Sequence, residues 1–191
     1  VEIVLGYNVA MIDVVLTLIG TDRPGLVGSV AAIVASHGGN WLESRMTRLG
    51  GKFAGILRAE LPEQRVAAAL RALANLETDG IKVVAETEPR EDREPAAGQV
   101  GMALDVLGVD RPGIVREIAQ LLAEVGVNVE ELATDRRSAP MSGEILFEAR
   151  AHVHVPASTD RAALRARLEQ VAKDLMVDVR IEDVPVRRRD R

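Results

Sequence analysis

An α+β fold of two tandem modules, each running β-α-β-β-α-β, is predicted by three observations on the 191-residue chain. The stretch Thr21-Asp22-Arg23-Pro24-Gly25-Leu26-Val27 recurs as Val109-Asp110-Arg111-Pro112-Gly113-Ile114-Val115. The offset of 88 residues, from Asp22 to Asp110, then holds without a gap, setting Gly38 over Gly126, Asn40 over Asn128 and Glu43 over Glu131. A short apolar run precedes each copy of the motif, and an amphipathic stretch follows it. Between the copies, Pro89 to Gly98 is charged and proline-flanked, the composition of a linker.

Residues 1–10 stand outside the repeat as an extension of undecided role. They are followed by a first module over 11–88, the linker over 89–98, a second module over 99–184 and a basic tail over 185–191. Val14 to Ile19 and Met102 to Leu107 are too short for typical helices and rich in Val, Leu and Ile, so both read as strands. Both faces of these strands are largely apolar. Helices are expected on one face and a domain or subunit interface on the other, which favours a homo-oligomer, a dimer first.

Leu26, Val27, Val30, Ile33 and Val34, with their counterparts Ile114, Val115, Ile118, Leu121 and Leu122, are spaced as one helical face and are assigned to the core. Asn40 to Leu49, Gly50-Gly51 and Lys52 to Leu61 read as a hairpin, since paired glycines supply the positive φ of a two-residue turn. Val127 to Arg136 and Glu144 to Val155 repeat it around a longer loop, Ser138 to Gly143, where extra length is tolerated.

Pro62 and Pro156 then introduce second helices, with Val66, Leu70 and Leu73 on one and Leu164, Leu168, Val171 and Leu175 on the other. Ile81 to Glu86 and Val177 to Glu182 close the modules as strands. The sum is two ferredoxin-like units, antiparallel sheets with helices on one face.

Composition narrows the function. Aromatic residues make up 2% of the chain, too few for stacking on single-stranded nucleic acid. The net charge of −5 opposes binding to a phosphate backbone, so no direct nucleic-acid binding is expected without a partner. Arg187-Arg188-Arg189 reads as a solvated terminus. Cysteine is absent, which excludes disulfides and thiolate chemistry and fits a cytoplasmic protein. No apolar run approaches membrane-spanning length, and no leader peptide is visible, so no membrane association is expected.

The serines at 29, 36 and 44 have no base at motif spacing, and no Gly-x-Ser-x-Gly, Gly-x-Gly-x-x-Gly or Walker loop occurs. A non-enzyme without cofactor is expected. His152 and His154 alternate on a strand, sharing a face with Glu148 and Arg150. Two such imidazoles can hold a metal, but no third ligand is evident, and a solvated polar face is the expectation. His37 ends a helix before Gly38 and fits the helix dipole.

An apolar strand, Asp-Arg-Pro-Gly, a Leu/Ile-Val helix start and a Gly-x-Asn opening of the next strand together resemble the ACT domain, twice over nearly the whole chain. A free-standing tandem pair with Asp-Arg-Pro-Gly in both copies is similar to the glycine cleavage system transcriptional repressor family, whose members are regulatory and associate with a partner regulator. Formyltetrahydrofolate deformylases and some phosphoserine phosphatases carry similar modules ahead of a catalytic domain. Only nine residues follow Glu182, and no Asp-x-Asp-x-Thr motif occurs, so neither catalytic domain is expected here.

The resemblance implies a small, glycine-like amino acid bound at module interfaces, with a protein partner receiving the signal. It implies a site at the loops Asp22-Arg23-Pro24-Gly25-Leu26 and Asp110-Arg111-Pro112-Gly113-Ile114, with Asn40 and Asn128 reaching the ligand from across an interface. Elementary chemistry is consistent with that site: helix N–H groups suit a carboxylate, Asp22 or Asp110 suits an ammonium, and Gly25 or Gly113 permits close approach. The same residues also read as a plain helix start, with Asp capping, Pro in the first turn and Gly relieving crowding. Two other functions remain open: a regulatory subunit or region of an amino-acid or one-carbon enzyme, and a ligand-free oligomerisation module.

Overall fold

The computed structural model describes residues 10–87, 99–140 and 143–185. The linker over 89–98, most of the N-terminal extension and most of the basic tail lie outside the described residues. The chain divides into two compact units, residues 1–92 and 93–191, each with its own apolar core.

The first unit runs β1 (Met11–Thr21), α1 (Leu26–Ser36), β2 (Asn40–Leu49), β3 (Lys52–Pro62), α2 (Glu63–Asn75), a 3-10 turn (Leu76–Asp79) and β4 (Ile81–Thr87). The second repeats it with β5 (Gln99–Val109), α3 (Ile114–Glu124), β6 (Asn128–Ser138), β7 (Ile145–Pro156), α4 (Arg161–Leu175) and β8 (Val177–Val184). Each sheet is antiparallel, ordered β2-β3-β1-β4 and β6-β7-β5-β8, which is the expected ferredoxin-like arrangement.

Strand alternation sets the core. Val14, Leu16 and Leu18 of β1 are fully buried with Leu57, Ala59 and Leu61 of β3 against Leu26, Val30 and Val34 of α1. Met102, Leu104 and Val106 take the same places in the second unit, with Ala149, Ala151, Val153 and Val155 of β7. Burying one such aliphatic side chain is worth about 1.5–3 kcal/mol, so these faces hold each unit together.

Two residues assigned to the core do not lie there. Val27 is 42% exposed and Val115 is 43% exposed. Each follows the first residue of its helix, and a step of one residue turns a side chain about 100° away from its neighbour. The inward stripe therefore runs through Leu26, Val30 and Val34, and through Ile114, Ile118 and Leu122.

The sheet faces turned away from the helices differ between the units. Thr17, Ile56 and Val84 stand side by side in register on the first, with Ile19 beyond them, and all three apolar residues are exposed. On the second, Asp105 lies in register with Arg150 and Arg180 while Leu107 and Val109 of the same strand face are exposed beyond it, so this face mixes charged and apolar residues where an apolar one was expected. Alternation fixes which residues face outward, and here the two copies carry different ones.

Of the four helices among the described residues, α4 has a side-chain cap: the Asp160 carboxylate accepts from the N–H groups of Ala162 and Ala163 at 2.9 and 3.1 Å. Asp160→Ala is expected to cost about 0.5–2 kcal/mol, read as a lower urea midpoint with unchanged slope.

Candidate ligand-binding site

Each Asp-Arg-Pro-Gly loop joins a central strand to the first helix of its unit and is pinned from below by the hairpin. The Asp22 N–H donates to the Gly51 carbonyl at 3.1 Å, and the Asp110 N–H donates to the Ile145 carbonyl at 2.8 Å. The chain then turns through Pro24 or Pro112 into Gly25 or Gly113, at φ +88° and +102°. The helix begins there, Ser29 N–H closing onto the Gly25 carbonyl at 2.9 Å and Glu117 N–H onto the Gly113 carbonyl at 3.0 Å.

The two glycines are the N-caps, and no side chain caps either helix. This corrects the reading of Asp22 and Asp110 as caps. It leaves the first-turn N–H groups, those of Leu26 and Val27 or Ile114 and Val115, without an intrahelical or side-chain partner, as a carboxylate site requires. Leu26 and Ile114 bury their side chains in the core, so they offer a ligand only their main chain.

No atom lies within 4 Å of a Cβ built on Gly25 or Gly113, so glycine is here for its left-handed φ and relieves no crowding. Gly25→Ala or Gly113→Ala is expected to cost about 1–2 kcal/mol through that φ alone, measured by urea unfolding. Valine, being β-branched, is worse tolerated there.

The Asp carboxylates turn to the edge strand. Asp22 Oδ2 lies 2.7 Å from Arg48 Nε, and Asp110 Oδ2 lies 2.7 Å from Arg136 Nε. The arginine side chains are 70% and 66% exposed, and the aspartates 35% and 22%. Pairs this open contribute about 0.2–1 kcal/mol, so they are cheap to separate.

Arg23 and Arg111 turn the other way. Their Nη2 atoms donate to the carbonyls of Asp79 and Asp174 at 3.2 and 2.9 Å, at the end of the 3-10 turn and of α4. A cation suits the free carbonyls of such an end. Both arginines thus tie the loop to its own unit, and the Nε of Arg111 is buried without a partner.

Asn40 and Asn128 are not brought to these loops. Asn40 stands in register with Glu60, and Glu60 with Asp13; the Asn40 Nδ2 donates to Glu60 Oε1 at 3.3 Å. Asp13 lies eight residues before Thr21, so Asn40 and the Asp22 loop are separated by about 27 Å along the sheet. The second unit repeats this, with Asn128 level with His154 and Gly101.

A cavity of about 370 Å³ opens at that far end of the second unit, lined by Met102, Glu130, His152, Val153, His154, Val184 and Pro185. Gly101 and Ala103 face His154 and His152 there, where the first unit sets Asp13 and Val15 against Glu60 and Arg58, with Asp13 and Arg58 paired. His154 Nε2 lies 3.2 Å from Glu130 Oε2, and among the described residues no group of three His, Cys, Asp or Glu is placed to hold a metal. His37 sits at the end of α1 with Nδ1 2.8 Å from the Ile33 carbonyl, as the dipole reading expects.

Three pairs of residues escaped the sequence reading of the loops, two of them set over each other by the 88-residue offset. Arg48 and Arg136 hold the aspartates. Gly20 and Gly108 let the strand end pass under the next strand: a Cβ on Gly108 would lie 2.6 Å from Val177 Cγ1, and one on Gly20 3.1 Å from the Gly80 carbonyl. Gly51 and Ile145, less alike, supply the carbonyls that pin the loops.

Residues 13–85 and 102–182 each match the ACT domain. Over 167 residues the chain is 29% identical to the glycine cleavage system transcriptional repressor of Escherichia coli (strain K12), covering 86% of this chain and 84% of that one. The Shigella flexneri protein of the same description aligns with the same figures. Among solved structures, an unknown protein from Galdieria sulphuraria superposes with a TM-score of 0.79 at 27% identity, covering 92% of this chain and 99% of that one.

Proposed function

The chain belongs to the ACT domain family, and we propose on that footing that it is a non-catalytic cytoplasmic regulator that senses a small, glycine-like amino acid at the Asp22 and Asp110 loops and signals to a protein partner. The observation that carries this reading is the duplicated loop geometry. Two segments that share few other surface residues keep the same left-handed glycine, the same uncapped helix start and the same 2.7 Å Asp–Arg pair. The open sheet faces, which only have to be folded, have diverged. Glycine as the first ligand to test, and control of amino-acid metabolism or its transcription as the setting, are supported by the description of the E. coli relative as a glycine cleavage system transcriptional repressor.

Asn40 and Asn128 enter the site through pairing of copies. β2 and β6 are sheet edges, and every residue of β6 is exposed. A free edge of that length is a template for another strand. Antiparallel pairing of β2 with β2 of a second copy sets Asn40 of one chain beside the Arg48 end of the other, whose guanidinium reaches Asp22, and β6 does the same for Asn128 and Arg136. The ligand then lies between chains and the working form is at least a dimer.

A thermal-shift screen of the twenty standard amino acids tests the sensor; a chain stabilised by none of them is not one. Sedimentation tests the pairing, with a dimer or larger species expected at micromolar chain and a monomer contradicting it. Glycine has five heavy atoms, and at a best case of about 1.5 kcal/mol per atom its binding is limited to about −7.5 kcal/mol, or low micromolar affinity.

A further inference from the structure

We propose that Arg48 and Arg136 supply the charged contact to the ligand carboxylate beside the first-turn N–H groups, and that an amino acid binds by opening each Asp–Arg pair and taking one charge from each partner. This rests on the reading of the loops as amino-acid sites.

Each arginine reaches its aspartate through Nε at the same distance, 2.7 Å. An approach through Nε leaves Nη donors of the guanidinium fork for a second carboxylate. Both side chains lie on edge strands near the loop and are mostly in solvent, so they can turn without disturbing the core. The aspartates are the less exposed partners and stay fixed, because their own N–H groups are held by the hairpin.

Charge balance sets the selectivity. The closed pair is neutral and so is a zwitterion: when the ammonium meets Asp22 and the carboxylate meets Arg48, two ion pairs replace one and no charge is left over. An amine without a carboxylate takes the aspartate and strands the arginine; a carboxylic acid without an amine strands the aspartate. Either analogue forgoes one of the two charge-assisted contacts that the amino acid makes, and an aspartate, the less exposed partner, is the costlier one to leave unpaired. The pairs therefore select for both groups of an α-amino acid together, and in the empty protein they neutralise the loops.

Calorimetry on the full chain tests this with the standard amino acid giving the largest thermal shift, its amide and its deaminated acid. The parent is expected to bind the amino acid and to bind either analogue at least about tenfold more weakly. R48Q/R136Q is expected to lose about tenfold or more for the amino acid with no loss of affinity for the amide, which has no carboxylate contact to lose and no Asp–Arg pair left to open. R48K/R136K, which keeps a point charge, is expected to recover part of the loss, and circular dichroism checks that both variants fold.

Amino-acid binding that survives R48Q/R136Q, or amide binding in the parent as tight as that of the amino acid, overturns the assignment and leaves the loops as the site. A parent chain that binds none of the twenty removes the loop reading and this assignment together.

Discussion

Asn in place of both Asp22 and Asp110 is expected to weaken amino-acid binding by about a hundredfold while changing folding stability by less than about 1 kcal/mol per site. The ligand ammonium loses a charged acceptor, and a hydrogen bond to a charged group is worth about 1.5–3 kcal/mol, or about ten- to a hundredfold in affinity. Starting from a low micromolar ceiling, a loss at the upper end leaves binding no tighter than about a few hundred micromolar. The stability effect is small because neither aspartate caps a helix and each pairs with a mostly exposed arginine. The Asp22 and Asp110 main-chain N–H bonds to the hairpins do not involve the substituted atoms. Calorimetry and urea unfolding on the double variant give both numbers, and unchanged heats in a folded chain remove these carboxylates from the site.

The fold was legible because it is written twice. Asp-Arg-Pro-Gly, the glycine turn and the Asn at the next strand recur at one spacing, and β2 spans Asn40–Leu49 as read from the sequence alone. What sequence patterning blurred was rotation about a helix axis: Val27 and Val115 are as apolar as their neighbours, and only the packed angle of the helix turns them to solvent.

The site was legible in its loops and not in its contacts. A carboxylate beside a helix start suggests a cap, and nothing local reveals that Asp22 turns toward Arg48, because the two meet only when β3 holds the end of β2 on one side and the end of β1 on the other. The offset that aligns Asp22 with Asp110 also aligns Arg48 with Arg136, so a pairing preserved in both copies was available as a signal. The distance between Asn40 and the Asp22 loop followed from topology, since a helix running back from the loop must start the next strand at the opposite end of the sheet. The cavity beside His152 and His154 gathers residues from four strands, Met102, Glu130, Val153 and Val184 among them, whose register is a tertiary fact.

Alanine at Leu16 is expected to destabilise the first unit by about 2–5 kcal/mol, whereas alanine at Ile19, three residues along the same strand, should cost no more than about 1 kcal/mol. Leu16 is fully buried, stands in register with Leu57 and Ala85, and belongs to the cluster that joins the sheet to α1 and α2. Removing its isobutyl group loses the transfer energy and leaves a cavity whose walls are held by the strand ladder and cannot close in. Ile19 is 46% exposed on the opposite face, so its truncation removes contacts that are already half water. Leu104, in register with Ala151 and Ile181, should repeat the larger loss in the second unit. Urea unfolding at chain concentrations below self-association separates the two cases, because association on the open face would add an interface term to Ile19 alone. Equal losses at Leu16 and Ile19 under those conditions would mean that both faces of β1 are packed, and the assignment of helices to one face of the sheet would fail.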